Sequence, residues 1–377
     1  MSTQGNESAL KFATRAVHVG NEVDKDSGAI KRPITMANGN APPYDPTDMN
    51  WSSAGANLYT RNGGTNQKYL QERVASLEGG EDCVVLASGV AALSGLFFAL
   101  LSKGDHVIFS SVTYIAVYRL LNELPNNKFG VETTIVDTTD PANVEAAIRP
   151  NTKLIHIETP GNPTLMISDI AAIAKIAHRH GALLSVDNTF ASPFNQHPIE
   201  LGADFAVESL TKYINGHRDS MGGAIIGKTE YLDQIRAQSQ VNLGGTISPF
   251  NAWLIMRGSV KLPLRMRQHN ENAMAVAQWL EKQPCVSFVA YPGLENHKGH
   301  EVAKKQMAPG FGGVPISLKT AKAKRQTITL ASNTHKINTP PVSQQCNQVL
   351  SAYRGRLTVR YFFFRTPPSA VRSSRRQ

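Results

Sequence analysis

The chain is 377 residues long, with 41% hydrophobic and 18% charged side chains. That is material for two or three domains and too apolar for a mainly disordered protein. The net charge of +10 is uneven: residues 302–377 hold fourteen Lys or Arg and no Asp or Glu, while residues 1–301 hold 25 basic and 29 acidic groups. The body is thus slightly acidic. With no aromatic-interleaved basic motif and no zinc-finger or helix-turn-helix pattern, a nucleic-acid partner is not expected.

In chain order, Met1–Glu7 lacks the basic and apolar regions of a signal peptide. Residues 1–58 read as an extended N-terminal arm, in which Pro42-Pro43-Tyr44-Asp45-Pro46 blocks regular structure. Gln67–Glu78 predicts a helix with Leu70, Val74 and Leu77 on one face, closed by Gly79-Gly80. Short apolar runs then alternate with helical patterns. Strands are predicted at Cys83–Ala87, Asp105–Phe109, Val131–Val136, Leu154–Ile157, Leu183–Val186, Asp204–Val207 and Ala224–Ile226. Asp140-Pro141 opens one intervening helix, and Ile170, Ile173, Ala174 and Ala177 mark another. The apolar helix near Val90–Leu101 is shorter than the ~20 residues needed to cross a bilayer, so no membrane partner is expected. Continuous apolar strands separated by helices predict an α/β domain over 59–245, its mainly parallel sheet covered on both faces. Residues 246–377 are expected to form a smaller C-terminal domain, helical and then strand-like, with an atypical pattern beyond about 318. Cys83, Cys285 and Cys346 form neither a disulfide framework nor a Cys-x-x-Cys pair, so a reducing, cytoplasmic setting is expected.

Four features converge on one chemistry. Lys212, in Ser209-Leu-Thr211-Lys212-Tyr213, follows a short strand and is flanked by hydroxyls. Asp187 sits at the carboxyl end of a buried strand, where open α/β sheets place ligands, and a buried carboxylate there needs a partner such as a protonated pyridine nitrogen. Ala87-Ser88-Gly89-Val90 is a strand–turn–helix junction whose free N–H groups suit a phosphate. Tyr114 lies in a loop, where its ring can stack on a planar ligand. A phosphate cradle, a carboxylate for a ring nitrogen, an aromatic lid and a Schiff-base lysine together specify pyridoxal 5′-phosphate. No metal is needed to complete such a site.

Taken singly, each feature has a plainer explanation: a solvated lysine, a packed tyrosine, an ordinary helix start. Together they resemble the pyridoxal-phosphate enzymes of cysteine and methionine metabolism, which include cystathionine γ-synthase, cystathionine γ-lyase, methionine γ-lyase and O-acetylhomoserine sulfhydrylase. The resemblance runs over roughly residues 12–317. It rests on Phe12-Ala-Thr-Arg-Ala-Val-His, Tyr59-Thr60-Arg61, Glu158-Thr-Pro-Gly-Asn162-Pro163-Thr, the lysine segment, Ser248-Pro249-Phe-Asn-Ala-Trp, Leu264-Arg265-Met266 and Tyr291-Pro292-Gly293-Leu294.

The resemblance implies the aspartate-aminotransferase-like architecture (fold type I), with a seven-stranded sheet and a smaller α+β C-terminal domain. It implies that Lys212 carries the cofactor and shuttles protons, that Asp187 pairs with the pyridine nitrogen, and that Tyr114 stacks on the ring and assists proton transfer. Gly89, Val90, Ser209 and Thr211 would hold the phosphate, and Asn162 would lie near the cofactor oxygen and the substrate carboxylate. Tyr59 and Arg61 would reach the phosphate of a neighbouring subunit, which makes a homodimer with shared sites the smallest active unit, usually within a homotetramer.

Several positions depart from the family pattern. Leu210 and Arg218 stand where small residues are usual, and Ile115-Ala116 after Tyr114 lacks the cysteine of a typical methionine γ-lyase. Arg119 resembles the cystathionine-handling members; as a plain surface arginine it would have no such role. Gly355-Arg356-Leu357-Thr358-Val359 keeps the local pattern that delivers a carboxylate-binding guanidinium, so Arg356 is the candidate anchor for the substrate. The expected activity is γ-elimination or γ-replacement on a sulfur-containing or O-acylated homoserine-type amino acid. The alternative is a relative that binds the cofactor but is impaired by its atypical carboxyl-terminal end.

Overall fold

The computed structural model describes residues 10–41, 45, 58–123, 128–284, 286–319 and 327–329. The Pro42-Pro43-Tyr44 stretch, Cys285, Cys346 and Arg356 lie outside them.

A short helix, α1 (Phe12–His18), is followed by α2 (Thr65–Glu78). The chain then runs through β1 (Asp82–Leu86), α3 (Gly89–Leu100), β2 (His106–Ser110), α4 (Ile115–Glu123), β3 (Glu132–Val136) and α5 (Pro141–Ala147). Next come β4 (Thr152–Glu158), α6 (Ile170–Arg179), β5 (Leu183–Asp187), the single turn α7 (Ser192–Asn195), β6 (Phe205–Glu208) and β7 (Gly223–Gly227). After α8 (Thr229–Ile235) and a π-helical segment, Arg236–Asn242, lie α9 (Pro249–Ser259), α10 (Leu262–Glu281), β8 (Val286–Ala290), α11 (His300–Gln306), β9 (Ile316–Lys319) and β10 (Thr327–Thr329).

The helices start where side chains replace missing intrahelical acceptors. Asp140 accepts the Ala142 N–H ahead of Pro141, and Asp169 accepts the Ala172 N–H at the start of α6. Such caps are each worth about 1 kcal/mol.

The seven strands order as β1-β7-β6-β5-β4-β2-β3. Only β7 runs against its neighbours, antiparallel to both β1 and β6. Alternate residues of one strand enter different cores: Val84 and Leu86 pack with α3, whereas Cys83 and Val85 pack with α2 and α9. Likewise, Val107 and Phe109 face α3 while Ile108 joins the α6 core. Both faces are therefore buried, which is why the strands read as unbroken apolar runs rather than as alternating ones. A separate antiparallel sheet, β10-β9-β8, packs against α10. The fold class is the expected fold type I arrangement.

Arg73 ties α1 to α2 and α9. Its guanidinium is fully buried and donates to the carbonyls of Val17, Val19 and Met256 and to Ser259 Oγ. None of the described helices is long and apolar enough to cross a membrane.

Candidate active site

Strand direction collects the site. Since β7 is antiparallel to β1 and β6, the carboxyl ends of β1, β6, β5, β4 and β2 share one edge of the sheet, and β7 begins there. Leu86 at the end of β1 is paired with Gly223, and Glu208 at the end of β6 with Ala224.

Ser88 caps α3 by accepting the Ala91 N–H at 3.1 Å. The N–H groups of Gly89 and Val90, first in the helix, therefore have no intrahelical acceptor. Ser209 follows β6 and abuts Gly89 so closely that a Cβ there would lie 2.9 Å from Ser209 Cβ. At Gly223 a Cβ would come within 2.1 Å of the Ser88 carbonyl oxygen. The floor is thus main chain, with Ser209 against it. Thr211 is held by Gly222, whose N–H donates to Thr211 Oγ1 at 3.1 Å.

Beside this cradle stands Asp187, 7% exposed at the end of β5. The Thr189 N–H donates to Asp187 Oδ1 at 3.0 Å, and Thr189 Oγ1 accepts the Ser209 N–H at 2.9 Å. A short relay therefore joins the cradle to the carboxylate. Burial raises the Asp187 pKa, while the Thr189 contacts and the Lys212 charge pull it down. Lys212 is exposed on the turn between β6 and β7. Its turn is rigid: the Lys212 N–H donates to the Ser209 carbonyl at 3.0 Å, and the Gly216 N–H to the Lys212 carbonyl at 2.9 Å. Arg265 on α10 fixes the far side by donating to the carbonyls of Tyr213 and Ile214. Gly216 has φ +71°, and a Cβ there would fall 2.1 Å from Arg265 Nη1, so only glycine lets the clamp close. Leu210, one of the sequence departures, is fully buried against the α2 and α9 core. Arg218 has a positive φ of 61°.

One residue beyond the predicted set organises the remaining wall. Glu158, at the end of β4, is 6% exposed and accepts the Tyr114 N–H at 2.5 Å and the Asn162 N–H at 2.8 Å. Tyr114 and Asn162 are therefore held by one carboxyl group. The Tyr114 ring remains 42% exposed. Glu158 appeared in the sequence only as the first residue of a matched segment. Its signal was a carboxylate closing an apolar strand, the same signal that marked Asp187.

No described contact joins Tyr59 or Arg61 to Asp187, Lys212 or Glu158. Both are exposed, with the Arg61 guanidinium 5.3 Å from the Tyr59 ring centroid. Their turn is tied to the loop alongside β1, where Thr246 Oγ1 donates to the Arg61 carbonyl at 2.8 Å. Arg119 is exposed on α4, and no described contact joins it to Asp187, Lys212 or Glu158.

A model of the Cys/Met metabolism PLP-dependent enzyme family matches residues 13–343. The chain belongs to this family. The enzyme is 54% identical over 308 residues to a canavanine gamma-lyase of Rhizobium leguminosarum bv. trifolii, covering 82% of this chain and 76% of that protein. It is 42% identical over 306 residues to an L-methionine gamma-lyase of Porphyromonas gingivalis, covering 79% and 76%. Its fold superimposes on the crystal structure of metB from Corynebacterium glutamicum with a TM-score of 0.79 and 41% identity, over 84% of this chain and 80% of that one. The cofactor of the enzyme is pyridoxal 5′-phosphate, and the donor set fits it. A main-chain floor with two helix N–H groups that lack an intrahelical acceptor suits a phosphate, and a buried carboxyl group suits a cationic ring nitrogen.

Proposed function

We propose that this enzyme catalyses γ-elimination on a homoserine-type amino acid whose leaving group is joined through oxygen, with canavanine the first substrate to test. The supporting observation is the relatedness: 54% and 51% identity to two canavanine gamma-lyases, against 39% and 42% to two methionine gamma-lyases. The sequence Tyr114-Ile115-Ala116, without a cysteine, agrees with a leaving group other than methanethiol. A sulfur-linked or O-acylated substrate, and γ-replacement by a thiol, need the same cofactor contacts and form the comparison set.

When bound, the cofactor supplies an electron sink for the carbanion left by α-proton removal. The residues of the chain do the rest. Asp187 holds the proton on the ring nitrogen. The Lys212 amine, exposed beside it, carries the cofactor and then moves protons at the α- and β-carbons of the substrate. The Gly89 and Val90 N–H groups, with the Ser209 and Thr211 hydroxyls, bind the phosphate. The Tyr114 ring covers the cofactor face, and Asn162 orients the substrate carboxylate. Tyr59 and Arg61 serve the site of a second subunit. Their exposure, together with that of Val90 and of Met221 beside the cradle, agrees with a neighbour covering this edge. Arg356 is proposed as the carboxylate anchor and Arg119 as a contact to the far end of the substrate.

The test is a panel of canavanine, methionine, cystathionine and O-acetylhomoserine, with 2-oxoacid formation followed for each and thiol added in parallel. Canavanine should give the highest kcat/KM. A higher value for a sulfur substrate, or product only with thiol, overturns the assignment.

A further inference from the structure

Behind the site lies a second pair of acids that these contacts do not use. Glu78 closes α2 and Glu208 closes β6; they are 0% and 1% exposed. Glu208 Oε1 is buried with no hydrogen-bond partner among the described residues, and after burial the Glu78 charge acts on it most strongly. A hydrogen bond between the two carboxyl groups takes one proton, because two carboxylates have no donor between them. Asn188 locks onto the pair. Its Nδ2 donates to Glu78 Oε1 at 3.0 Å and to the Gln196 carbonyl at 3.0 Å, and its own N–H donates to the Val207 carbonyl at 2.9 Å. Gln196 answers by donating to Asn188 Oδ1 at 2.9 Å. Asn188 lies between Asp187 and Thr189, the two residues that join the ring-nitrogen position to the cradle.

The charged groups facing the pair are mostly of its own sign. Asp187 faces it from β5, and Glu200 from the loop after α7. His197 meets the Glu78 main chain, with Arg15 beyond it, and Lys212 lies on the Asp187 side. Burial, reinforced by the Glu78 charge, pushes Glu208 well above the usual carboxyl range; burial pushes Glu78 up to about 7.

We propose that Glu208 is a positioning residue for the cofactor: as a carboxylic acid it donates to the Glu78 carboxylate, and the pair, carrying one negative charge, clamps Asn188 and so holds the Asp187–Thr189 turn in place. Like charges so close in a dry site cannot both persist, so one proton is retained. A second charge would repel Asp187 and loosen the turn.

This inference rests on Asp187 being the partner of the ring nitrogen, and the experiment separates the two. Holoenzymes carrying Glu208→Gln, Glu208→Ala and Asp187→Asn are compared with wild type by cofactor absorbance, cofactor dissociation and thermal unfolding from pH 5 to 9. The amide of Glu208→Gln donates to Glu78 as the acid does, so its absorbance at pH 7 should match wild type. The wild-type fold keeps a proton that the unfolded chain releases near the ordinary carboxyl value, so its Tm should fall as pH rises above about 5. Glu208→Gln should lose part of that fall. Glu208→Ala should bind the cofactor about tenfold more weakly, the loss expected for one charge-assisted hydrogen bond. A Glu208→Gln Tm curve parallel to wild type, or undiminished cofactor retention in Glu208→Ala, overturns the proposal. An unchanged absorbance spectrum in Asp187→Asn would instead overturn the ring-nitrogen assignment, while the Glu208→Gln curve still judges the carboxyl pair.

Discussion

Glu158 and Asp187 are register partners at the carboxyl ends of β4 and β5, so two buried acids meet across one strand spacing. They hold different groups. Glu158 gathers the Tyr114 and Asn162 N–H groups, and Asp187 takes the Thr189 N–H. Burial, then the Asp187 charge, pushes Glu158 up from 4.5 to about 8.

That shift has a definite sign. The folded chain holds a proton on Glu158 that the unfolded chain gives up near pH 4.5. The stability it contributes is whole below that pH and is lost as pH rises to about 8. Glu158→Gln cannot titrate, so its Tm should vary less with pH across that window than the wild-type value. Its amide offers one acceptor oxygen where two N–H groups need one, so activity should drop about tenfold or more at pH 7. Parallel Tm curves, or undiminished activity, would contradict this role.

Lys212 and Asp187 should separate in their effects. Borohydride reduction of the loaded wild type should fix the cofactor on the peptide containing Lys212 alone. Asp187→Asn fills the same space but cannot hold the positive ring nitrogen, so turnover should fall on the order of a hundredfold or more with little change in Tm. Label on another lysine, or near-normal turnover of Asp187→Asn, would remove these assignments.

Subunit sharing can be read from complementation. An Arg61→Ala variant and a Lys212→Ala variant, each inactive alone, should regain activity when their subunits exchange, because one site in each hybrid dimer keeps both residues. Exchange proven by mass spectrometry without recovered activity would place Arg61 in its own subunit's site.

Arg73 makes a stability prediction independent of the chemistry. Its guanidinium satisfies four oxygen acceptors in a buried site, and burial alone lowers it to about 10. Arg73→Met takes the guanidinium donors from those acceptors, of which the Met256 carbonyl keeps the Ser259 hydroxyl, and should cost on the order of 3 kcal/mol in urea unfolding. A loss below about 1 kcal/mol, within the range of a surface substitution, would show that α1 is not held this way.

The sheet was legible because its strands are buried on both faces, so Leu154–Ile157 and Leu183–Val186 stood out as apolar runs. Observed strands extend these readings by a residue or two, as at Thr152–Glu158, because hydrogen bonding continues into the polar strand ends. Lys212 and Asp187 stood out in the sequence because their neighbours form motifs. Glu158, Glu78 and Glu208 were not read as site groups. A glutamate at the end of a strand or helix looks solvated in sequence, and only the tertiary arrangement shows it to be buried. The short helix Phe12–His18 was hidden in the arm because it has a single fully buried residue, Ala16, among the exposed and half-buried ones.

The antiparallel strand β7 also sets an order of assembly. Among the described strands it is the one partner of β1, so nothing described fixes β1 beside β6 until Gly223–Gly227 has been made and inserted between them. Gly89 and Val90 are synthesised about 120 residues before Ser209 and Thr211, yet the two halves of the cradle meet only when that strand closes the gap. A nascent chain ending before β7 holds the four residues proposed for the phosphate and no closed cradle. Such a long-range closure is slow compared with local helix formation, so the cradle is completed late rather than built up along the chain.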